Sequence, residues 1–472
     1  MNKRIGVGVS AVKLFRVLFV FILSALVGQA IQANAQTLTT LHSFGPSPDG
    51  AQPNAALVQG GDGNFYGTTY SGGTNGFGTL FRISPGGMET NLYSFTVNSQ
   101  QNNSTAGMVQ GSDGNFYGTT PRGYGTVFRI SPSGTYTTLY AFHVRPGAGK
   151  SPQAGLAQGS DGNFYGTTSQ GGMHGAGIVF RISPSGTETN LYSFGIPTND
   201  GLSPGAGLVQ GSDGDFYGTT YYGGINYSGT VFRISPSGSF TSLYSFAGFP
   251  TDGSFPQAIL VQGRDGNFYS TTASGGAYGA GTVFRISPGG METNLYSFGS
   301  FPNDGSSPAA GLVQGSDGNF YGTTEFGGVY GGGTVFRISP SGNCTSLYSF
   351  VGYPGGAGEP NGLVQGNDGN FYGTTWQGGT YTSGTIFQLI VPLNPPANQI
   401  SAVQIAASDL AFSIPSVAYE TYQLQFSSSM NPTNWVNVPG VSVTNSIGAL
   451  LTVTNFGGAV GPQGFYRFAI TP

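Results

Sequence analysis

The residues able to do chemistry are few and widely scattered. The 472-residue chain holds 3 His, 1 Cys, 15 Lys or Arg and 19 Asp or Glu, against 35 Phe, 26 Tyr and 2 Trp. His42, His143 and His174 have no metal-ligand spacing to one another, and no serine sits in a nucleophile-elbow motif. No metal, no cofactor and no set of catalytic acid, base and nucleophile is therefore expected. The remaining chemistry is aromatic. Tyr70, Tyr124, Tyr221, Tyr222, Tyr227, Tyr278, Phe326, Tyr330, Trp376 and Tyr381 fall in Gly- and Asn-rich stretches, with Phe77, Arg122, His174 and Glu325 among them. Flat rings with few charges suit a glycan-contacting surface better than an anionic-ligand site. The competing reading packs these rings onto their own glycine-rich loops, and residue types alone leave both open.

Three polar residues recur at fixed places. The string Asp-Gly-(Asn/Asp)-Phe-Tyr-(Gly/Ser)-Thr-Thr begins at Asp62, Asp113, Asp161, Asp213, Asp265, Asp317 and Asp368. One carboxylate per turn is too few for calcium, which gathers six or more oxygens; a hairpin turn is the simpler reading. Asp213 and Asp215 are the only local pair. Arg82, Arg129, Arg181, Arg233, Arg285 and Arg337 recur downstream, with Gln388 in the seventh place. Spread one per unit, they cannot converge on one anion, so an Asp–Arg pair in each unit is expected. Gln59, Gln110, Gln158, Gln210, Gln262, Gln314 and Gln365 should ring a central channel, either as a ligand surface or as amides bonded to backbone between units.

The elements that carry these residues follow from the repeat. Seven units spaced 48–52 residues apart fill residues 38–391. Each holds four short strand patterns, A to D, separated by Gly-rich turn signals. In the first unit these are 55–60, 64–69, 78–84 and 90–95. Phe65-Tyr66 and their equivalents place aromatics on both faces of strand B, as stacked blades require. The expected fold is all-β: a seven-bladed β-propeller. Residues 38–44 match strand D and the last unit stops after strand C, so the N-terminal strand should complete the last blade and remove the open edge. A–B and C–D turns are nearly constant. B–C and D–A connections vary and should share one face, where binding on a rigid scaffold usually sits.

Gly-Leu-Val-Gln-Gly-Ser-Asp-Gly-Asn-Phe-Tyr-Gly-Thr-Thr (311–324) and Gly-Thr-Val-Phe-Arg-Ile-Ser-Pro-Ser-Gly (333–342) resemble the GloVer tandem repeat of exported bacterial choice-of-anchor proteins. The resemblance covers residues 38–391. It implies repeats joined to varying surface-attachment regions and carries no activity over. Paired glycines such as Gly72-Gly73 are similar to kelch repeats in architecture, without the kelch tryptophan.

The ends differ from the repeats. Residues 1–35 read as a signal peptide: Lys3, Arg4, Lys13 and Arg16, an apolar run from Val17 to Ile31, and Ala33-Asn34-Ala35 before the cut. Residues 36–391 form the propeller, 392–398 a linker, and 399–472 a small β-sandwich-like module suited to sorting or attachment. Removal of the signal leaves 11 basic against 19 acidic residues, which argues against nucleic acid as a partner. Cys344 is alone, so no internal disulfide forms. No later stretch is apolar enough for a membrane span. These observations point to an exported, non-catalytic scaffold contacting an extracellular polysaccharide or a surface protein through the B–C and D–A face. The alternatives are a structural matrix protein without a discrete ligand and a polysaccharide hydrolase or lyase.

Overall fold

The computed structural model describes residues 36–96, 106–143, 146–195, 200–301, 303–352, 358–391, 402–406, 409–415, 420–427, 436–445, 450–455 and 465–471. The expected signal peptide 1–35, the expected linker 392–398 and Trp435 lie outside these. Every regular element among the described residues is a β-strand. None of their helices is long and apolar enough to cross a membrane, since none is present.

Seven antiparallel sheets with strands A to D follow one another around a ring, and in blade 1 Gly50–Pro53 adds a fifth strand against strand B. Blade 1 has Val58–Gln59, Phe65–Gly72, Thr79–Ile83 and Glu89–Ser94 as A to D. Blade 7 takes Gly358–Gln365, Phe371–Gln377 and Thr385–Ile390, and its outer strand is Thr37–Ser43. Leu38 pairs with Leu389 and Thr40 with Phe387, so the N-terminal strand closes the ring as the repeat phase requires.

Strand A is shorter than expected, pairing over only two residues in six blades. In these blades the residues just before it lie outside that pairing, and a carbonyl among them accepts a hydroxyl of the neighbouring blade in most cases. Thr68 Oγ1 donates to the Ala106 carbonyl one blade on, and Thr374 Oγ1 donates to that of Ala55 across the ring closure. Blade 5 departs from this rule. Ser270 replaces a glycine and its hydroxyl donates to the Ala258 carbonyl, while Thr219 Oγ1, whose counterparts reach the equivalent carbonyl, is buried without a partner.

One five-residue phrase, Asp-Gly-Asn-Phe-Tyr, holds blade to blade. The Asp Oδ1 accepts the backbone N–H two residues on, which caps the hairpin turn (Asn64 N to Asp62, 3.1 Å). The Tyr hydroxyl donates to the same carboxylate in all seven blades at 2.7–2.9 Å. The Tyr ring stacks on the Phe of the next blade's phrase. Tyr66–Phe116 centroids are 4.0 Å apart, and the series runs unbroken to Tyr372–Phe65 at 4.1 Å. Such pairs contribute about 0.5–1.5 kcal/mol each beyond the area they bury. Farther out, each strand D Phe meets the next blade's strand C Phe edge-on, as Phe44 does Phe81 at 5.4 Å. Burial, and then the hydrogen bond to Asp62, push the Tyr66 hydroxyl up to about 12. Burial raises Asp62 too, but the hydrogen bonds from Asn64 and Tyr66 outweigh it and hold the carboxyl below its ordinary value.

This phrase corrects the expected Asp–Arg pairing. Arg82 stands opposite Tyr66 in the ladder, and the tyrosine hydroxyl, not the guanidinium, occupies the Asp62 carboxylate. In blade 7 Gln388 Nε2 donates to the Tyr372 hydroxyl at 2.9 Å, so a neutral amide serves where the other blades carry arginine. The one Arg–carboxylate ion pair among the described residues is Arg233 Nε to Asp215 Oδ2, 3.5 Å, where Asp215 replaces the usual Asn.

At the outer rim, a strand D side chain, a D–A loop aspartate and the next blade's first strand D residue meet. Tyr244 donates to Asp252 at 2.8 Å beside Glu292. Beyond the propeller, Ala402–Ala406, Asp409–Pro415 and Leu450–Asn455 form one three-stranded sheet. Glu420–Ser427, Val436–Asn445 and Phe465–Thr471 form another.

Glu292 gives the stability a pH dependence. Burial, then the Asp252 charge, push its carboxyl up to about 7 from 4.5. The folded state therefore holds this proton more tightly than the unfolded one. The resulting stabilisation is complete below about pH 4.5 and is lost as the pH rises through about 7. Glu292→Gln should melt with the parent at pH 4 and above it at pH 8, by about 1–2 kcal/mol after allowance for partial exposure. Thermal unfolding at both pH values checks this; coincident curves at pH 8 contradict it.

Candidate functional site

The constant phrase leaves the opposite ends of strands A and B free to vary. The residue after Thr-Thr is Tyr70, Pro121, Ser169, Tyr221, Ala273, Glu325 and Trp376 in blades 1 to 7. Facing it, before the proline that opens strand A, stand Gln52, Ser151, Ser203, Phe255, Ser307 and Glu359 in every blade but the second. These six non-glycine residues have left-handed backbones, with φ of 53–59°. Such conformations cost of order 1–3 kcal/mol each and persist only where the surroundings impose them. Here backbone hydrogen bonds do so from both sides. Glu359 N–H donates to the Gly332 carbonyl of the preceding blade at 3.1 Å, and Gln52 N–H to that of Ser383 at 2.7 Å. The Ser203 carbonyl accepts from Tyr221 N–H at 3.1 Å, and that of Ser307 from Glu325 at 3.0 Å. The D–A and B–C connections thus share one face.

This face opens into a central cavity of about 1000 Å³. Its wall is the stretch just before strand A, with Ala56, Gly107, Gly155, Gly207 and Gly311 supplied by five blades. The blades crowd here: a Cβ on Gly155 would stand 2.8 Å from the Gly107 carbonyl oxygen. Ile259 is the large exception and lies across Gly207 and Gly311. Tyr221, Glu325, Glu359 and Trp376 line the opening.

The rim is chemically uneven. Trp376 and Tyr70, from blades adjoining across the closure, have centroids 5.5 Å apart, and Arg122 Nη2 donates to the Tyr70 hydroxyl at 3.2 Å. Tyr221 meets Phe255 at 5.2 Å and Tyr222 at 4.5 Å. Glu325 and Glu359 form an acidic sector. Burial, then the Glu359 charge, raise the Glu325 carboxyl above its ordinary value; the Ser307 hydroxyl, 3.4 Å away, opposes the rise. Gln377 Nε2 donates to Glu359 at 3.3 Å. Paired carboxylates beside an aromatic ring can accept hydrogen bonds from sugar hydroxyls while the ring stacks on a sugar face.

The residues singled out by sequence do not share one place. Tyr70, Tyr221 and Trp376 stand at the rim. Tyr222 (47% exposed) and Phe326 (46%) come next in sequence to rim positions, while Tyr227, Tyr278, Tyr330 and Tyr381 (55–70%) are exposed at the B–C loop tips, one blade apart. Tyr124 is half-buried under Lys150, whose Nζ lies 5.5 Å from the ring centroid. The tip rings do not stack on one another, so the expected single aromatic surface resolves into an inner rim and separate outer tips. The seven glutamines stand at the other end of strand A. Each Oε1 accepts a backbone N–H of the preceding blade at 2.9–3.1 Å, including Asn367 to Gln59 across the closure. Each Nε2 donates to a carbonyl of its own turn, as Gln210 does to Gly214 at 2.9 Å. Both ends of these amides are thus occupied by backbone.

Phe255 and Glu359 are rim residues that sequence reasoning missed. The signal was the position before each strand A proline, which changes from blade to blade while the proline stays. His42 also escapes a search for histidine pairs, because its neighbours are carboxylates. It stands with Asp49 and Glu89, three donor atoms within 4.8 Å of one another.

Fold and rim together define a tandem-repeat propeller whose constant frame carries a variable opening. The chain belongs to the Gloeobacter/Verrucomicrobia repeat family, whose model matches residues 28–156, 121–312 and 250–398. No curated protein matches the chain. Among solved structures it is similar to the extracellular domain assigned to a hybrid two-component system of B. thetaiotaomicron, with 12% identity and a TM-score of 0.50, over 92% of this chain and 57% of that one. A second extracellular domain, assigned to a one-component system of the same organism, is 13% identical over 93% of this chain and 59% of that one, with a TM-score of 0.48. The chain thus spans less than two thirds of either, and the likeness to the first is one of fold.

The acidic sector gives a direct check. Glu359→Gln removes the charge that helps raise Glu325, so the Glu325 carboxyl should titrate at lower pH in the variant. Carboxyl carbon NMR measures this; an unmoved midpoint would show that the two side chains do not interact.

Proposed function

We propose that the chain is an exported, non-catalytic scaffold that binds an extracellular polysaccharide at the mouth of its central cavity. One observation carries the reading. Trp376 and Tyr221 reach an opening of about 1000 Å³ whose walls are mostly Ala and Gly and whose rim supplies hydroxyl, amide and carboxylate partners. That volume falls within the range of small-ligand sites. The opening is also a place where the repeats diverge, while the Asp-Gly-Asn-Phe-Tyr phrase at the other end of the blade is nearly constant. The signal-like residues 1–35 support export, and the fold-level likeness to an extracellular domain agrees with it. The C-terminal strands fit an attachment module by their position. A surface protein presenting exposed sugars or tyrosine-rich loops is the other partner this rim suits.

A hydrolase reading draws on the raised Glu325 beside Glu359, since glycoside cleavage uses two carboxyl groups of unequal acidity. Time-dependent shortening of a polysaccharide, abolished in Glu325→Gln, would select it over simple binding.

The binding test uses residues 36–472 against a panel of soluble and insoluble polysaccharides. Trp376→Ala with Tyr221→Ala should weaken saturable binding at least tenfold, the effect of removing about 1.4 kcal/mol of ring contact. Gly205→Leu should do the same by filling the cavity; a Cβ there meets nothing closer than 3.8 Å, so the fold is retained. Binding unchanged in both variants contradicts a site at the mouth.

A further inference from the structure

The interface between blades 7 and 1 differs from the other six in a way that closure alone does not require. At the strand D position where blades 1 to 6 carry Tyr93, Tyr140, Tyr192, Tyr244, Tyr296 and Tyr348, the closing strand carries His42. The scaffold around it matches that of Tyr244. There Asp252 accepts the Tyr244 hydroxyl and Ala247 N–H on one oxygen and Gly253 N–H on the other. Here Asp49 Oδ2 accepts Gly45 N–H at 2.7 Å and lies 3.1 Å from His42 Nε2, and Oδ1 accepts Gly50 N–H at 2.8 Å. Glu89 occupies the place of Glu292. A phenol, which keeps its proton near neutral pH, is thus exchanged for an imidazole nitrogen at the one interface that joins the two ends of the propeller.

We propose that His42, Asp49 and Glu89 bind a divalent transition-metal ion of the zinc type, which ties the N-terminal strand to blade 1. Three observations support it. The donor set is one nitrogen and two carboxylates from three separate elements, all within 4.8 Å. This mixture suits zinc and its neighbours better than calcium, which takes oxygen ligands alone. The two acids share a half-buried pocket, and among the described residues no lysine or arginine pairs with either. Asp49 is oriented by two backbone N–H groups, the kind of outer support that fixes a ligating carboxylate.

The geometry needs only a small adjustment. A tetrahedral ion with bonds of about 2.0–2.1 Å holds its donors roughly 3.4 Å apart. Glu89 closes the difference by rotation about its own side-chain bonds, while His42 turns Nε2 from Asp49 to the ion. His42 and Asp49 side chains are 22% and 18% exposed, so the site has an entry path and a place for a water ligand.

The repeat supplies its own controls. Untagged residues 36–472, stripped of metal, should bind one zinc ion per chain by calorimetry, and zinc should raise the melting temperature by several degrees. His42→Tyr restores the side chain found in the other six blades, so it should fold and melt with the metal-free parent but gain nothing from zinc. Glu89→Gln should weaken binding at least tenfold. Tyr244→His rebuilds the same triad beside Asp252 and Glu292 and should bring the stoichiometry to two. The proposal is overturned if the parent binds no zinc, if His42→Tyr and Glu89→Gln bind it as the parent does, or if calcium alone gives the shift.

Discussion

A buried tyrosine whose ring stacks on the next blade and whose hydroxyl is anchored in its own turn is the constraint on which this molecule depends. Burying a phenol is favourable for its ring and costly for its hydroxyl unless a partner is supplied. The aspartate four residues earlier supplies it, and in doing so is held in the conformation that caps the hairpin. The intervening phenylalanine accepts the stack from the preceding blade. Turn, buried polar group and blade contact are therefore satisfied by adjacent residues, and seven copies close on themselves from Tyr372 to Phe65. The glutamine bonds run the same circuit one layer inward, from Gly61 to Gln110 and round to Asn367 and Gln59.

A ring held this way can tolerate both strain and variety at its other end. Six left-handed residues surround the cavity mouth, each clamped by hydrogen bonds to its own and the preceding blade, so their side chains vary while their backbone does not. The result is a rim carrying an aromatic sector at Tyr70 and Trp376, another at Tyr221 and Phe255, and an acidic one at Glu325 and Glu359. The loop tips carry Tyr227, Tyr278, Tyr330 and Tyr381 farther out, where rings one blade apart act separately. Repetition builds the frame and divergence builds the site.

Much of this was legible in the sequence because it repeats. The spacing of the Asp-Gly-Asn-Phe-Tyr phrase gave seven blades, and the phase of residues 38–44 gave the closure. Periodicity could not say which polar groups pair within a blade. Arg82 and Asp62 carry opposite charges and lie near one another, yet Tyr66 takes the carboxylate because its hydroxyl is the group with no access to water. Strand A is shorter than its composition suggests for a related reason: Ala55 to Leu57 have strand-like composition, but the Ala55 carbonyl bonds to Thr374 of a neighbouring blade that no local pattern reveals. Glu359 and Phe255 were hidden because each is a single deviation at a position that otherwise holds Ser or Gln. His42 was hidden because its partners come from a loop and from a different blade.

Contacts that run unbroken from Tyr372 to Phe65 make the blades one closed cooperative ring, not a stack of independent repeats, with the N-terminal strand closing it. Native-state amide hydrogen exchange on residues 36–472 and on a chain lacking residues 36–44 tests this most directly. Loss of the strand should lower protection of the strand B amides in all seven blades together. Protection lost only in blades 7 and 1, with blades 3 to 5 unchanged, would contradict it and describe a linear array whose ends happen to meet.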